Sequence, residues 1–258
     1  MSEQLLIQQE GQVKYITLNN PRRKNALTKD MMTGLLAAIQ QAEQDDTRVI
    51  VLQGAEGNFS SGADLMAGDE LRADVTTYLK TAVNPTILAI RNTDIPVIAS
   101  ISGVCVGLGC NLALACDMLL ASKDARFSQI FTNIALSADG GGSYFLPRMV
   151  GYQKAFEWMA LASMVPAEEA HHYGMLNRLY ETPGELQEAT RALAQQLAEG
   201  PFIAIKHTKA NLRKGMESTL EETLNLEAEN QGKNFLTKDF LEGIQAFFEK
   251  RKPKYQGK

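Results

Sequence analysis

Cysteine is scarce in these 258 residues: Cys105, Cys110 and Cys116 all fall in one apolar stretch. An odd count at that spacing fits neither a zinc pattern nor a disulfide framework, so the three are expected to be reduced core residues. Histidine is equally rare. His171 and His172 are adjacent and face different sides of any helix, and the third histidine is His207. No H-E-x-x-H pair exists, a Ser-His-Asp triad is disfavoured, and no metal site is expected. An excess of basic charge is missing too. Lys and Arg number 26 against 30 Asp and Glu, a net charge of −4, which argues against nucleic acid as the main partner. Long apolar runs are absent: stretches such as 97–106 contain Ser and Gly and are too short to span a bilayer. Residues 1–10 carry no basic segment ahead of an apolar one. A cytoplasmic protein with no membrane partner is the resulting expectation.

What is present is ordinary globular material. Hydrophobic residues make up 45% and charged residues 22%, which excludes disorder and coiled coil, and the length suffices for a large buried core. Residues 12–18 read as a β-rich segment that stops at Asn19-Asn20-Pro21. Thr28 reads as a helix N-cap, followed by Met31, Met32, Leu35, Leu36, Ile39 and Ala42 at helical spacing as far as residue 45. Residues 49–52 form an uninterrupted apolar strand ending at Gly54, with further runs at 96–106 and 118–121. Continuous runs of this kind belong to strands covered on both faces.

A short helix is predicted over 108–116. After about residue 142 strand signals nearly vanish, and helices are predicted over 153–162, 167–173, 185–198, 204–213 and 220–250. Pro201 and Gly215 interrupt this series. The pattern is α/β: a core over 1–200 and a helical region over 201–258 of the same domain. Phe235, Phe240, Ile244, Phe247 and Phe248 give that last region apolar area for its own core or for a neighbouring subunit.

Two nucleotide motifs fail on spacing. Read from Gly107, the G-x-G-x-x-G fingerprint would need glycine where Leu112 stands, and no glycine-rich run leads into Gly-Lys-Ser/Thr. No redox or nucleotide cofactor is expected. Three glycine-rich turns remain: 58–65 (Asn-Phe-Ser-Ser-Gly-Ala-Asp-Leu), 103–109, and 139–143 (Asp-Gly-Gly-Gly-Ser). Such turns after strands leave amide N–H groups free, and two amides from separate loops can form an oxyanion hole for a thioester carbonyl. They can equally be tight connections with no ligand, and an aspartate before a glycine run is a common helix cap.

Ser60-Ser61-Gly62-Ala63-Asp64-Leu65 and Ile101-Ser102-Gly103-Val104-Cys105-Val106-Gly107-Leu108-Gly109 resemble the two oxyanion-hole loops of the enoyl-CoA hydratase/isomerase (crotonase) superfamily. Asn19-Asn20-Pro21…Asn25-Ala26-Leu27, Cys116-Asp117, Leu146-Pro147-Arg148…Gly151 and Phe247-Phe248-Glu249-Lys250-Arg251 continue the resemblance from about residue 5 to the end. It implies a crotonase-like spiral of ββα units, a helical C-terminal region and a homotrimer or homohexamer. The implied substrate is an acyl-CoA thioester from fatty-acid or aromatic catabolism. The implied thioester donors are the amides of Ala63 and Leu108, although the family often has glycine at the latter position. Lys24, Ala26, Asp64 and Leu65 would lie along CoA, and Lys250 would reach its phosphates from its own or a neighbouring subunit; Lys24 and Lys250 fit solvated surface charges equally well.

The carboxylates bear on the reaction. Hydratases of this family use two glutamates, and their places are taken here by Asn111 and Phe131. An acid appears instead at Asp139, as in relatives resembling the phenylacetate-pathway isomerase. One positioned carboxylate can move a proton from the α-carbon to the γ-carbon, so a Δ3-Δ2 enoyl-CoA isomerase-like reaction is expected. Desolvation by Phe131, Ile134 and Leu136 would raise the pKa of Asp139 and a helix N-terminus behind it would oppose that shift, a balance the sequence leaves open. Tyr78, Leu79, Phe131 and Tyr144 are candidate pocket walls, within a pocket shaped partly by residues 67–84. Three alternatives stay open: hydration through Asp139 alone, attack of Asp139 on an aryl ring, and acyl-CoA binding with little catalysis.

Overall fold

The computed structural model describes residues 4–65 and 74–258. Among these, six strands make one sheet and three make a second. The first sheet runs β1 (Leu5–Glu10), β2 (Val13–Leu18), β3 (Val49–Gly54), β4 (Val97–Ile101), β6 (Met118–Ser122) and β9 (Arg178–Tyr180). β1 and β2 pair antiparallel with Glu10 opposite Val13, and every later pair is parallel. The second sheet is β5 (Val104–Val106), β7 (Arg126–Ser128) and β8 (Val165–Pro166).

The apolar runs belong to strands buried on both faces. Ile16, Leu18, Ile50, Leu52 and Ala99 pack into one cluster with Met31, Met32, Leu35 and Ile39 of α1 (Lys29–Ala42). Val13, Tyr15, Val49, Val51, Ile98 and Leu120 point to the other face and pack against Leu186, Leu193 and Ala194 of a later helix, Pro183–Ala198. Alternate side chains therefore serve two cores, and neither face can be polar. Thr28 caps α1 by accepting a hydrogen bond from the Met31 amide at 3.1 Å, as its position in the sequence predicts.

The apolar run over 96–106 is two strands, not one. The chain leaves the first sheet at Ser102-Gly103 and enters the second, which hydropathy cannot register because both segments are buried. β1 escapes the reading because Leu6 and Ile7 are 42% and 52% exposed at the sheet edge. β8 and β9, at two and three residues, are too short to show alternation. Between β3 and β4 lie α2 (Val75–Tyr78), a π-helical turn (Leu79–Val83) and α3 (Asn84–Asn92). Residues 67–73 of the segment expected to shape the pocket fall outside the described residues.

The remaining helices are α4 (Leu108–Leu114), α5 (Gly142–Val150), α6 (Tyr152–Ala160), α7 (Ala167–His172), α8 (Pro183–Ala198), α9 (Phe202–Gly215), α10 (Leu220–Phe235) and α11 (Lys238–Glu249). The single helix expected over 220–250 is two, because Thr237 caps α11 by accepting from the Phe240 amide at 3.1 Å. Phe235 and Leu236 before the break and Phe240 after it keep the apolar spacing continuous. α9 is pinned to the core by Lys209, whose ammonium donates to Asp117 at 2.6 Å and to the Ile95 carbonyl at 2.9 Å. All three cysteines are free and buried, as expected. Among the described residues no helix is long and apolar enough to cross a membrane.

Candidate active site

The first glycine turn is held between two extended segments. The Leu27 amide donates to the Gly62 carbonyl at 2.7 Å, and the Asp64 amide donates to the Leu27 carbonyl at 2.9 Å. On the other side Ser60 exchanges backbone bonds with Val104 and Val106. This pairing directs the N–H of Ala63 away from Leu27, and among the described residues it has no backbone acceptor. Buried Asn25 locks the arrangement, donating to the carbonyls of Ala55 and Asn58 at 2.9 and 2.7 Å.

Leu108 is the first residue of α4, so its N–H has no partner within the helix. The two turns touch: a Cβ built on Gly62 would lie 3.6 Å from the Leu108 nitrogen. The structure thus brings both sequence-predicted donors to neighbouring loops.

Asp139 comes to the same place through the third turn. A Cβ on Gly140 would meet the Leu108 side chain at 2.5 Å, with Asn111 and Val83 next nearest, and one on Gly141 would meet Phe145 and Ile87. Asp139 is half-buried, and its Oδ1 is a buried oxygen with no hydrogen-bond partner among the described residues. It does not cap α5: Gly141 occupies the N-cap position with no side-chain bond. Burial pushes the Asp139 carboxyl up from 3.8 to about 6. Of the residues expected to cover it, Phe131 is buried, whereas Ile134 and Leu136 are each 52% exposed.

Asn111 is fully buried one helical turn beyond Leu108. Its Nδ2 donates to the Asp139 carbonyl oxygen at 2.7 Å, and its Oδ1 accepts from Gln129 Nε2 at 2.7 Å. Sequence reasoning saw Asn111 only as a missing glutamate and gave Gln129 no role. A buried amide pair leaves no periodic or motif signal.

Of the expected pocket walls, Tyr78 is buried, and its phenol is pushed up by burial and then by the charge of Asp139. Tyr144 is half-buried and donates to Glu217 at 2.6 Å. Asp64 and Leu65 end the first turn, and Lys24 and Ala26 lie on the segment that hydrogen-bonds to it. Lys24 is exposed, and its carbonyl accepts from the Ser61 amide at 2.8 Å; Ala26 is buried and Leu65 exposed. Asp64 is buried against Arg23, whose Nη1 reaches its two oxygens at 2.8 and 2.7 Å. Arg23 was missed because one arginine in a basic Pro-Arg-Arg-Lys run has no distinguishing spacing. Lys250 sits apart, at the end of α11, where residues 238–258 bond to Arg48 and Glu199.

Comparison with known proteins agrees with this geometry. A family model described as Enoyl-CoA hydratase/isomerase matches residues 8–258. A probable enoyl-CoA hydratase of Rhodobacter capsulatus is 38% identical, covering 94% of each chain. The 1,2-epoxyphenylacetyl-CoA isomerase of Escherichia coli is 32% identical over the whole of both. Among solved structures, an enoyl-CoA hydratase from Bacillus anthracis superposes with a TM-score of 0.94 at 30% identity, covering 99% of this chain and 100% of that one.

Proposed function

The chain belongs to the enoyl-CoA hydratase/isomerase family and has its crotonase-like fold, and from that premise we propose that it shifts a double bond in an acyl-CoA thioester, as a Δ3-Δ2 enoyl-CoA isomerase does. The observation that carries the reading is the unpartnered, buried Oδ1 of Asp139 on a turn packed against Leu108.

In this reading the N–H groups of Ala63 and Leu108 donate to the thioester oxygen and gain strength as negative charge develops there. The Asp139 carboxylate removes a proton from C2, giving the enolate, and returns it at C4 as the double bond moves into conjugation. A carboxyl titrating at about 6 is mostly ionised at neutral pH yet basic enough to hold the proton between the two steps. Lys24, Ala26, Asp64 and Leu65 would border CoA, with Arg23 fixing Asp64. Lys250 would serve only from a neighbouring protomer. The exposed Phe247 and Phe248 of α11 support a homotrimer or homohexamer built on that helix.

Hydration through Asp139 alone is the second reading, favoured by the relatives named hydratases. It needs a water held opposite the acid, and buried Phe131 and Asn111 stand where the family's glutamates would hold one. Supplying 2-enoyl, 3-enoyl and aryl CoA thioesters in deuterated water separates the readings. Isomerisation places deuterium at C2 or C4 with no gain of water, and Asp139→Asn lowers the rate by about 10²–10⁴-fold. A 3-hydroxyacyl product, or an Asp139→Asn variant with wild-type exchange, would refute it.

A further inference from the structure

We propose that Asn111 is a positioning residue for Asp139: its side-chain amide, oriented by Gln129, clamps the Asp139 peptide and so sets where that carboxyl points. The inference rests on the reading of Asp139 as the base.

The polarity of the chain of bonds is forced from one end. The Asp139 carbonyl can only accept, so Asn111 must present Nδ2 to it, at 2.7 Å. Asn111 Oδ1 then requires a donor and receives Gln129 Nε2, also at 2.7 Å. Gln129, 3% exposed, is left with a buried Oε1 that has no partner among the described residues. Reversing either amide would set oxygen against oxygen, so the uncompensated atom stays at the end farthest from Asp139. The contact is close enough to dictate Gly142, where a Cβ would lie 2.6 Å from Asn111 Oδ1 and 2.7 Å from Nδ2. The third turn is therefore wrapped around the Asn111 amide.

α4 supplies both the Leu108 amide and this clamp, three residues apart. The helix that presents the oxyanion donor thus also places the base relative to it. A glutamate at 111 would bring no donor to the Asp139 carbonyl and would add a methylene against Gly142. An acid at 111 therefore could not make this clamp on Asp139.

The test follows the Asp139 carboxyl by ¹³C NMR titration, assigned from the signal lost in Asp139→Asn, alongside isomerisation kinetics. In Asn111→Leu the signal should titrate well below about 6, toward 3.8, as the freed carboxyl turns to water. kcat for a 3-enoyl-CoA should fall by about 10²-fold with KM within about threefold, as expected for a misplaced catalytic group. Gln129→Met, which spares Asn111 and the turn, should shift both readouts the same way by a smaller amount, and it carries the test should Asn111→Leu not fold. Folded variants whose Asp139 titrates as in the wild type would overturn the proposal, whatever their activity. Because the titration needs no substrate, a wild type inert toward 3-enoyl-CoA would defeat the proposed reaction while a displaced titration still upheld the clamp.

Discussion

Replacing Asp139 by asparagine should make the protein more stable at neutral pH while disabling it. The carboxyl and the amide have nearly the same shape, so the substitution removes charge and little else. In the folded state the group titrates at about 6, raised by burial from 3.8. The native state therefore binds its proton more tightly than the unfolded chain. The group's stabilising contribution is complete below about pH 3.8 and is lost as pH rises through about 6. At 1.36 kcal/mol per pH unit the ceiling is ~3 kcal/mol, and solvent reaching the half-buried carboxylate reduces this to about 1–2 kcal/mol. Urea unfolding of both proteins at equal concentration, from pH 4 to pH 8, checks it. Asp139→Asn should match the wild type near pH 4 and exceed it by that amount from about pH 7 upward. Equal stability throughout, or a variant weaker at pH 8, would show that the carboxylate is solvated or paired in the native state and remove the basis for its basicity.

Three further outcomes test other parts of the molecule. Leu108→Pro deletes one proposed oxyanion donor at the first helical position, where proline is tolerated; kcat should drop about 10²–10³-fold, whereas Leu108→Val, which loses packing but keeps the N–H, should lose far less. Lys209→Met strands Asp117, whose Oδ2 would keep only the Val97 amide at 2.8 Å; breaking this part-buried pair should cost about 1–3 kcal/mol in chemical denaturation. Phe247 and Phe248 are 79% and 77% exposed on α11; if the proposed trimer or hexamer is built on them, changing both to serine lowers the sedimenting mass while the circular dichroism of the protomer is kept.

The strands of the first sheet, α1 with its Thr28 cap, and the glycine turns are legible along the chain because each depends on neighbours in sequence. Alternation, helical spacing and caps are local properties. The resemblance to the family's loops named Ala63, Leu108 and Asp139, and the structure sets all three on adjoining turns. Ile134 and Leu136 were expected over Asp139 on hydropathy and proximity in sequence, yet they face solvent. Apolar character says that a residue can be buried, not which group it will bury.

The sequence by itself determined the α/β pattern, the absence of a second acid at 111 and 131, and the single acid at 139. Only the tertiary structure decided what that acid is. Its raised pKa comes from burial, and the turn that carries it is packed among groups from α3, α4, α5 and the π-helical turn. Its placement comes from Asn111 and Gln129, 28 residues and 10 residues away along the chain. Desolvation and buried amide polarity depend on everything surrounding an atom in space, and a linear order of residues carries neither.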